Sequence, residues 1–153
     1  MRIRIYKYLI LLSVLFSNCT GTTDNQVQKM ENKEHKEVVY QVFTRLFGNK
    51  NTNNKPWGTI EENGVGKFND FTEKALHEIK DLGVTYIWYM GVLHHATITD
   101  YTNIGISMDD PDVVKGRAGS PFAIKDYYNV DPDLAENPLK RLEEFQQLID
   151  RTH

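Results

Sequence analysis

Acidic side chains crowd one stretch of this chain, and carboxylates are groups that can do chemistry. The stretch carries seven aspartates: Asp100, Asp109, Asp110, Asp112, Asp126, Asp131 and Asp133. A retaining glycosidase uses two carboxyl groups about 5 Å apart, one as nucleophile and one as general acid. However, Asp109-Asp110-Pro111-Asp112 is typical of a turn with a solvated acidic patch. An isolated loop cannot hold two carboxylates at a defined separation, so we assign no catalytic residue.

The same aspartates raise the question of a metal. Clustered carboxylate oxygens suit calcium, but the stretch lacks the spacing of an EF-hand loop. His94 and His95 are neighbours without a His-x₃-His partner, and the chain has a single cysteine, so zinc is not favoured. We therefore assign no metal ligand.

Composition narrows the class of protein. With 153 residues the chain has room for one ordinary domain, and 40% hydrophobic residues are compatible with a packed core. Its formal net charge of −3 provides no broad basic surface, so nucleic acid is not an expected partner.

The first residues predict export. Arg2, Arg4 and Lys7 precede an apolar run that is too short for a permanent membrane helix, so residues 1–18 are predicted to be a signal peptide. The run ends in Leu15-Phe16-Ser17-Asn18-Cys19, which looks like the lipobox of bacterial lipoproteins, although Phe16 and Asn18 depart from the strict pattern. The prediction is a lipid anchor at Cys19, and an ordinary signal peptide with an incidental cysteine is the alternative.

Residues 19–37 are polar and almost free of large apolar side chains, which predicts a flexible tether after Cys19; a short exposed helix over residues 26–36 is the alternative. An apolar run over residues 38–43 then predicts a buried strand, and because both faces are apolar it favours a parallel strand covered on both sides. A loop rich in turn formers follows over residues 47–66. Trp57 lies within it, where packing is favoured over the alternative of stacking on a sugar.

A helix and a second strand complete the first unit. Asn69 is expected to cap a helix whose apolar stripe contains Phe71, Ala75, Leu76, Ile79 and Leu82. Gly83 then predicts the end of the helix, and residues 84–90 predict another buried strand. Strand, helix and strand at this spacing indicate a parallel βαβ unit.

The rest of the chain has a long segment and one helix. Residues 91–133 show little regular pattern and are expected to form an ordered loop. Asn137 is expected to cap a last helix with Pro138 in its first turn. The apolar face of that helix is predicted to contain Leu139, Leu142, Phe145, Leu148 and Ile149.

Three segments together resemble the alpha-amylase family of glycoside hydrolases, family 13. They are Val39-Tyr40-Gln41-Val42-Phe43-Thr44-Arg45-Leu46-Phe47; Leu82-Gly83-Val84-Thr85-Tyr86-Ile87-Trp88 continuing through His95-Ala96-Thr97 to Thr99-Asp100-Tyr101; and Ala123-Ile124-Lys125-Asp126-Tyr127-Tyr128-Asn129-Val130-Asp131-Pro132. The resemblance implies an α/β fold in which residues 38–153 form the first two strand–helix units of a (β/α)₈ TIM barrel. The barrel is expected to be incomplete in this chain, which would then be an N-terminal fragment of the catalytic domain.

The resemblance also implies a function. Family members cleave α-1,4-linked glucans such as starch or maltooligosaccharides by a retaining mechanism, with carboxylates on later strands of the barrel, so the chain alone is expected to be inactive. Phe122 stands where family members often carry a tyrosine that stacks on the sugar. Together with His95 and Tyr101 it is predicted to contact the substrate. The alternatives are that Phe122 anchors the loop in the core, that His95 hydrogen-bonds the loop and that Tyr101 is a packing residue. Calcium is implied only for a longer parent enzyme.

Two other interpretations remain open. One is a non-catalytic, lipid-anchored protein that binds glucan, and the other is an unfolded remnant of a truncated gene. The glycoside-hydrolase fragment and the non-catalytic glucan-binding protein would share an α-glucan partner and a membrane contact through the lipid. They also place the protein outside the bacterial cytoplasm, as a lipoprotein in the periplasm or on the cell surface.

Overall fold

The computed structural model describes residues Lys36–His153. The predicted signal peptide over residues 1–18, the lipidated Cys19 and nearly all of the tether lie outside the described residues. Lys36 and Glu37, the last residues assigned to the tether, are exposed and have no regular secondary structure.

Two parallel strands form the first sheet. Strand β1, Val39–Phe43, pairs with β2, Tyr86–Met90, in a register that runs from Val39 opposite Tyr86 to Phe43 opposite Met90. Both strands lie within the ranges that the sequence predicts, and their parallel pairing confirms the βαβ unit. Because the strands are parallel, their carboxyl ends meet at one edge of the sheet, and the loops that follow them begin there.

Two helices lie between these strands. The short helix α1, Ile60–Asn63, has Thr59 and Glu62 in a capping box, and α2 spans Glu73–Asp81. The expected cap at Asn69 is wrong, because Asn69 lies in a 3₁₀ turn, Phe68–Asp70, and Thr72 caps α2 by accepting a hydrogen bond from the Ala75 amide. The predicted end of the helix is confirmed. Gly83 has φ of +84° and donates to the Lys80 carbonyl.

A second sheet occupies the long segment that was expected to have little regular structure. Strand β3, Leu93–His95, pairs antiparallel with β4, Ile124–Val130, and the register shifts on both sides of His94. This correction has a physical reason. Bulges break the alternation of side chains between the two faces, so neither strand shows a period of two in the sequence.

The last helix covers the chain from the other side. Asn137 accepts a hydrogen bond from the Leu139 amide, and Pro138 begins a 3₁₀ turn, Pro138–Lys140, that leads into α3, Arg141–Thr152. Leu148 is fully buried, as the predicted apolar face requires. Leu139 and Leu142 are exposed, so their assignment to the buried face is wrong. Leu139 lies in the 3₁₀ turn, whose period of three residues departs from the helical stripe on which the prediction relied.

Aromatic side chains dominate the core. Phe71 is fully buried; its ring stacks on Phe47 with 4.0 Å between the centroids and meets Tyr89 edge-on at 5.0 Å. Phe68, also fully buried, packs against Phe145 of α3. The core therefore lies on one side of the first sheet, beneath α2 and α3.

The opposite side of the first sheet is uncovered among the described residues. Val39, Tyr86 and Trp88 point to that side and are 59%, 59% and 53% exposed. The expectation that both faces of these strands are buried is therefore not met within residues 36–153. Among those residues the helices supply only one layer, and no helix is long and apolar enough to cross a membrane. A closed barrel stays a prediction.

Candidate functional site

The loops at the carboxyl ends of the two parallel strands bring together side chains that are far apart in the sequence. Thr44 and Arg45 follow β1 directly, and the chain turns at Gly91 after β2 before it enters β3. In sheets of this kind ligands bind at the carboxyl ends of the strands. The polar side chains buried at this edge are therefore the first place to look for a site.

Three buried side chains and two partly buried ones form what we call the buried polar cluster. The buried ones are His95, Asp131 and Asp133, and the partly buried ones are Arg45 and Tyr101. Asp133 is at its centre, with a fully buried carboxylate. Its Oδ2 atom accepts a hydrogen bond from Arg45 Nη1 at 2.8 Å, and its Oδ1 atom accepts one from the Tyr101 hydroxyl at 2.7 Å. One carboxylate thus joins the end of β1 to the long segment after β3.

His95 and Asp131 form the other half of the cluster. His95 Nδ1 lies 3.2 Å from Asp131 Oδ2, but that oxygen receives no hydrogen bond of good geometry among the described residues. The other ring nitrogen, Nε2, lies 3.0 Å from the Ala118 carbonyl. The ring therefore ties the end of β3 to the turn around residue 118.

Burial shifts the proton affinity of two members of the cluster. Burial, followed by the charge of Asp133, raises the pKa of Asp131 from its ordinary 3.8 to about 6. Burial and the neighbouring Asp133 carboxylate also raise the pKa of the Tyr101 hydroxyl far above its ordinary range. Tyr101 therefore stays protonated and can act as a hydrogen-bond donor to Asp133 at any physiological pH.

The cluster is arranged to hold loops in place. The polar groups of Arg45, Tyr101 and Asp133 already bond one another, and Asp131 Oδ1 accepts a bond from the Asp133 amide at 2.9 Å. Buried charges that are paired in this way resist separation, because removing one partner leaves the other charge unsolvated. The arrangement therefore supports a structural role, in which the cluster fixes the positions of the surrounding loops.

The three residues predicted to contact substrate have different places in the structure. His95 and Tyr101 are brought together in the buried polar cluster, where their polar atoms contact other protein groups. Phe122 lies outside the cluster, in the turn before β4, and its side chain is 75% exposed. Direct substrate contact by these residues stays a prediction, and Phe122 is the one whose side chain is open to solvent.

Two other residues singled out in the sequence also have defined positions. His94 is buried, and burial, followed by the charge of Lys125, lowers its pKa, so the ring is held neutral. Trp57 is 72% exposed. The prediction that Trp57 packs the loop is therefore wrong, since the indole faces solvent.

The remaining loop carboxylates mostly bond within their own surroundings. Asp109 pairs with Lys125 at 2.8 Å and accepts a hydrogen bond from the Thr97 amide, while Asp126 accepts one from the Tyr128 amide. Across residues 36–153, no three His, Cys, Asp or Glu side chains are grouped so that they could hold a metal ion. No pair among these carboxylates is assigned as nucleophile and acid.

Sequence reasoning missed the roles of Arg45, Asp131 and Asp133. Arg45 lies two residues after the end of β1, and Asp131-Pro132-Asp133 directly follows β4. Charged residues at the ends of strands are a signal of a possible site, but the sequence does not show which of them pair with each other. The partners Arg45 and Asp133 lie 88 positions apart in the chain.

Comparison with known proteins places the chain beside a large enzyme. Pullulanase A from Streptococcus pneumoniae serotype 2 and pullulanase A from serotype 4 are each 30% identical to this chain over 151 aligned residues. The alignment covers 87% of this chain but only 10% of each relative, so the chain spans about a tenth of the length of the curated relatives it matches. No family model and no solved structure matches the chain.

Proposed function

We propose that this chain is part of a glycoside hydrolase of the alpha-amylase family, family 13, and that the whole enzyme acts on an α-glucan. The observation that carries the proposal is the 30% identity with pullulanase A, an enzyme named for pullulan, over 87% of the chain. The described residues would contribute the first two strand–helix units of the barrel and a wall of the substrate cleft.

The uncovered face of the first sheet supports this fold. Parallel sheets are normally covered on both faces, yet Val39, Tyr86 and Trp88 are more than half exposed. In a (β/α)₈ barrel, helices cover the outer face of the strands and side chains of the other strands fill the inside. The observed arrangement, with α2 and α3 on one face only, is what two units of such a barrel would present.

The position of Phe122 supports a sugar as ligand. Its ring is 75% exposed and lies in the turn directly before β4, so it is available as a flat apolar surface. Aromatic faces supply large contact area at little conformational cost. The buried polar cluster holds the segment that precedes Phe122, since the His95 ring bonds the carbonyl of Ala118, four residues before Phe122.

The catalytic step is proposed to need residues outside the described part. A retaining mechanism requires two carboxyl groups about 5 Å apart and free to reach the sugar. Asp131 and Asp133 are buried, and Asp109 is paired with Lys125. In this proposal the chain therefore binds glucan without cleaving it.

Binding and cleavage are measured separately to test this. Calorimetric titration of the chain with maltoheptaose is expected to give saturable binding, and a reducing-sugar assay on maltoheptaose and pullulan is expected to give no product. Phe122→Ala should weaken binding, whereas Tyr128→Ala, at an aromatic that is 95% exposed on β4, serves as the matched control. Equal affinity for cellohexaose and maltoheptaose would contradict an α-glucan ligand.

Anchoring to a membrane through Cys19 belongs to the same proposal. It is supported by the basic and apolar pattern before Cys19 and by the resemblance of residues 15–19 to a lipobox. Expressed in a bacterium, the chain is expected in the membrane fraction with a lipid on Cys19, and Cys19→Ser is expected to leave it unlipidated. An unlipidated wild-type chain would refute the anchor without touching the glucan proposal.

A further inference from the structure

Trp57 has two features that contribute nothing to the stability of the folded chain. Its indole is 72% exposed, and its backbone has φ of +58°, in the left-handed region that non-glycine residues rarely adopt. Asn54, three residues earlier, is the other non-glycine residue with positive φ in the part of the chain that the structure describes. Strained residues of this kind persist where the surroundings impose them, and they cluster at functional sites.

The loop that carries Trp57 is held by asparagine side chains. The amides of Asn51 and Asn53 both donate to the Glu62 carbonyl, at 2.7 and 2.8 Å. Asn63 accepts from the Lys55 amide at 2.7 Å and donates to the Lys55 carbonyl at 2.9 Å, which clamps the chain two residues before Trp57. The indole is thus presented by a fixed turn, and a ligand that stacks on it would lose little by ordering the loop.

A cavity lies beside this turn. Its volume is about 440 Å³, within the range of about 300–1,000 Å³ that is usual for small-molecule sites. Asn54 and Gly58, three residues before and one residue after Trp57, line it, whereas Trp57 itself does not. Residues 98–100 and 117–118 also line it, on the segment that the buried polar cluster holds.

The polar groups of the cavity suit a neutral ligand with many hydroxyls. Two arginines and two carboxylates line it, Arg45, Arg117, Glu61 and Asp100, so their formal charges cancel and an ionic ligand gains no net attraction. Arg45 is already paired with Asp133, whereas the guanidinium of Arg117 donates no hydrogen bond within residues 36–153. The guanidinium groups can donate hydrogen bonds to adjacent hydroxyls of a sugar ring in the cavity, and the carboxylates can accept hydrogen bonds from them.

We propose that Trp57 and this cavity form a glucan-binding site separate from the Phe122 surface. The indole stacks on the apolar face of one pyranose ring, while Arg117, Glu61 and Asp100 bond hydroxyls of an adjoining ring that enters the cavity. The class of ligand rests on the proposed function. The location of the site rests on the exposed indole of Trp57 and on the cavity lined by the next residue, Gly58; Phe122 does not line that cavity.

The test uses the full chain and maltoheptaose as probe, with cellohexaose as the comparison glucan. The chain has two tryptophans, so Trp88→Phe leaves Trp57 as the only reporter of tryptophan fluorescence. Titration of this variant is expected to give a saturable change in emission. Calorimetry on Trp57→Gly is expected to show affinity at this site lower by about tenfold or more, while the Phe122 surface keeps its own affinity. Tyr128→Ala, at another exposed aromatic, should keep the wild-type affinity.

Trp57→Gly also separates loss of binding from loss of folding. Glycine adopts a positive φ without strain, so the melting temperature of this variant should equal or exceed that of the wild type. If maltoheptaose binds Trp57→Gly as tightly as the wild type while Phe122→Ala abolishes binding, this inference is overturned and the proposed function stands. If cellohexaose binds instead and Trp57→Gly removes that binding, the site stands and the α-glucan proposal fails. Absence of binding to either glucan would overturn both.

Discussion

Replacing Asp133 is the sharpest test of the buried polar cluster. Asp133→Asn keeps the shape of the side chain but removes the charge that faces Arg45 Nη1 at 2.8 Å. The asparagine amide also cannot accept hydrogen bonds at both of its heavy atoms, so either Arg45 or the Tyr101 hydroxyl loses its acceptor. Since Asp133 is fully buried and the Arg45 side chain is only 15% exposed, water cannot readily replace the lost partner.

The magnitude follows from this burial. Breaking a buried ion pair by removing one partner costs about 3–5 kcal/mol. A domain of this size is stable by about 5–15 kcal/mol, so the variant would lose a large share of its free energy of unfolding. The structure therefore predicts a urea midpoint lower by more than about 1 M.

Urea denaturation at pH 7, followed by circular dichroism, measures this loss. Lys74→Ala is the matched control, because Lys74 and Glu78 form an ion pair of 3.8 Å in which both side chains are mostly exposed. It should change the free energy of unfolding by less than about 0.5 kcal/mol. Tyr101→Phe, which removes only the hydroxyl, should fall between the two, at about 1–2 kcal/mol.

A small effect of Asp133→Asn would refute the reasoning. If the variant and Lys74→Ala differed by less than about 1 kcal/mol, the cluster would not be holding the loops, whatever its geometry. The double variant with Tyr101→Phe provides a further check. Because both residues share one carboxylate, their effects should not add.

Three further predictions follow from single positions. Because burial raises the pKa of Asp131 from 3.8 to about 6, the folded state keeps a proton that the unfolded chain releases, and the free energy of unfolding should fall as pH rises from about 4 to 6. Urea titrations at several pH values should show that Asp131→Asn loses this dependence. The same pH dependence in the variant and the wild type would contradict the prediction. Phe71→Ala should cost about 3–5 kcal/mol in thermal or urea unfolding, with the half-exposed Leu142→Ala below about 1 kcal/mol as control. Gly119→Ala should prevent native folding or lower the melting temperature strongly, because φ is +71° and a Cβ would collide with the Ala96 carbonyl; a wild-type melting curve would disprove that contact.

Several parts of the fold could be predicted because their signals are local. The apolar runs of β1 and β2, the glycine at position 83 and the proline at position 138 each indicate an element through their own neighbours in the chain. The parallel pairing followed from the order and spacing of those elements. The cap of α2 was misplaced by three residues, since Asn69 and Thr72 are both good capping residues and only the 3₁₀ turn decides between them.

The candidate site could be predicted only in part. The sequence drew attention to His95 and Tyr101, but their contacts with Asp131 and Asp133 join positions more than 30 residues apart. No periodicity encodes such a pair, because the partner depends on the path of the chain between them. The bulged pairing of β3 with β4 was missed for the same reason.

Only the tertiary structure decided which side chains are exposed to solvent and which are buried. Trp57 and Phe122 are large aromatics that composition would assign to a core, yet both face solvent, while the charged Asp133 is fully buried. The amino-acid sequence is sufficient for the local elements, since their energies depend on residues within a few positions. Which side chains are covered depends on the packing of elements distant in the chain, and that packing places the polar cluster inside and the two aromatic rings outside.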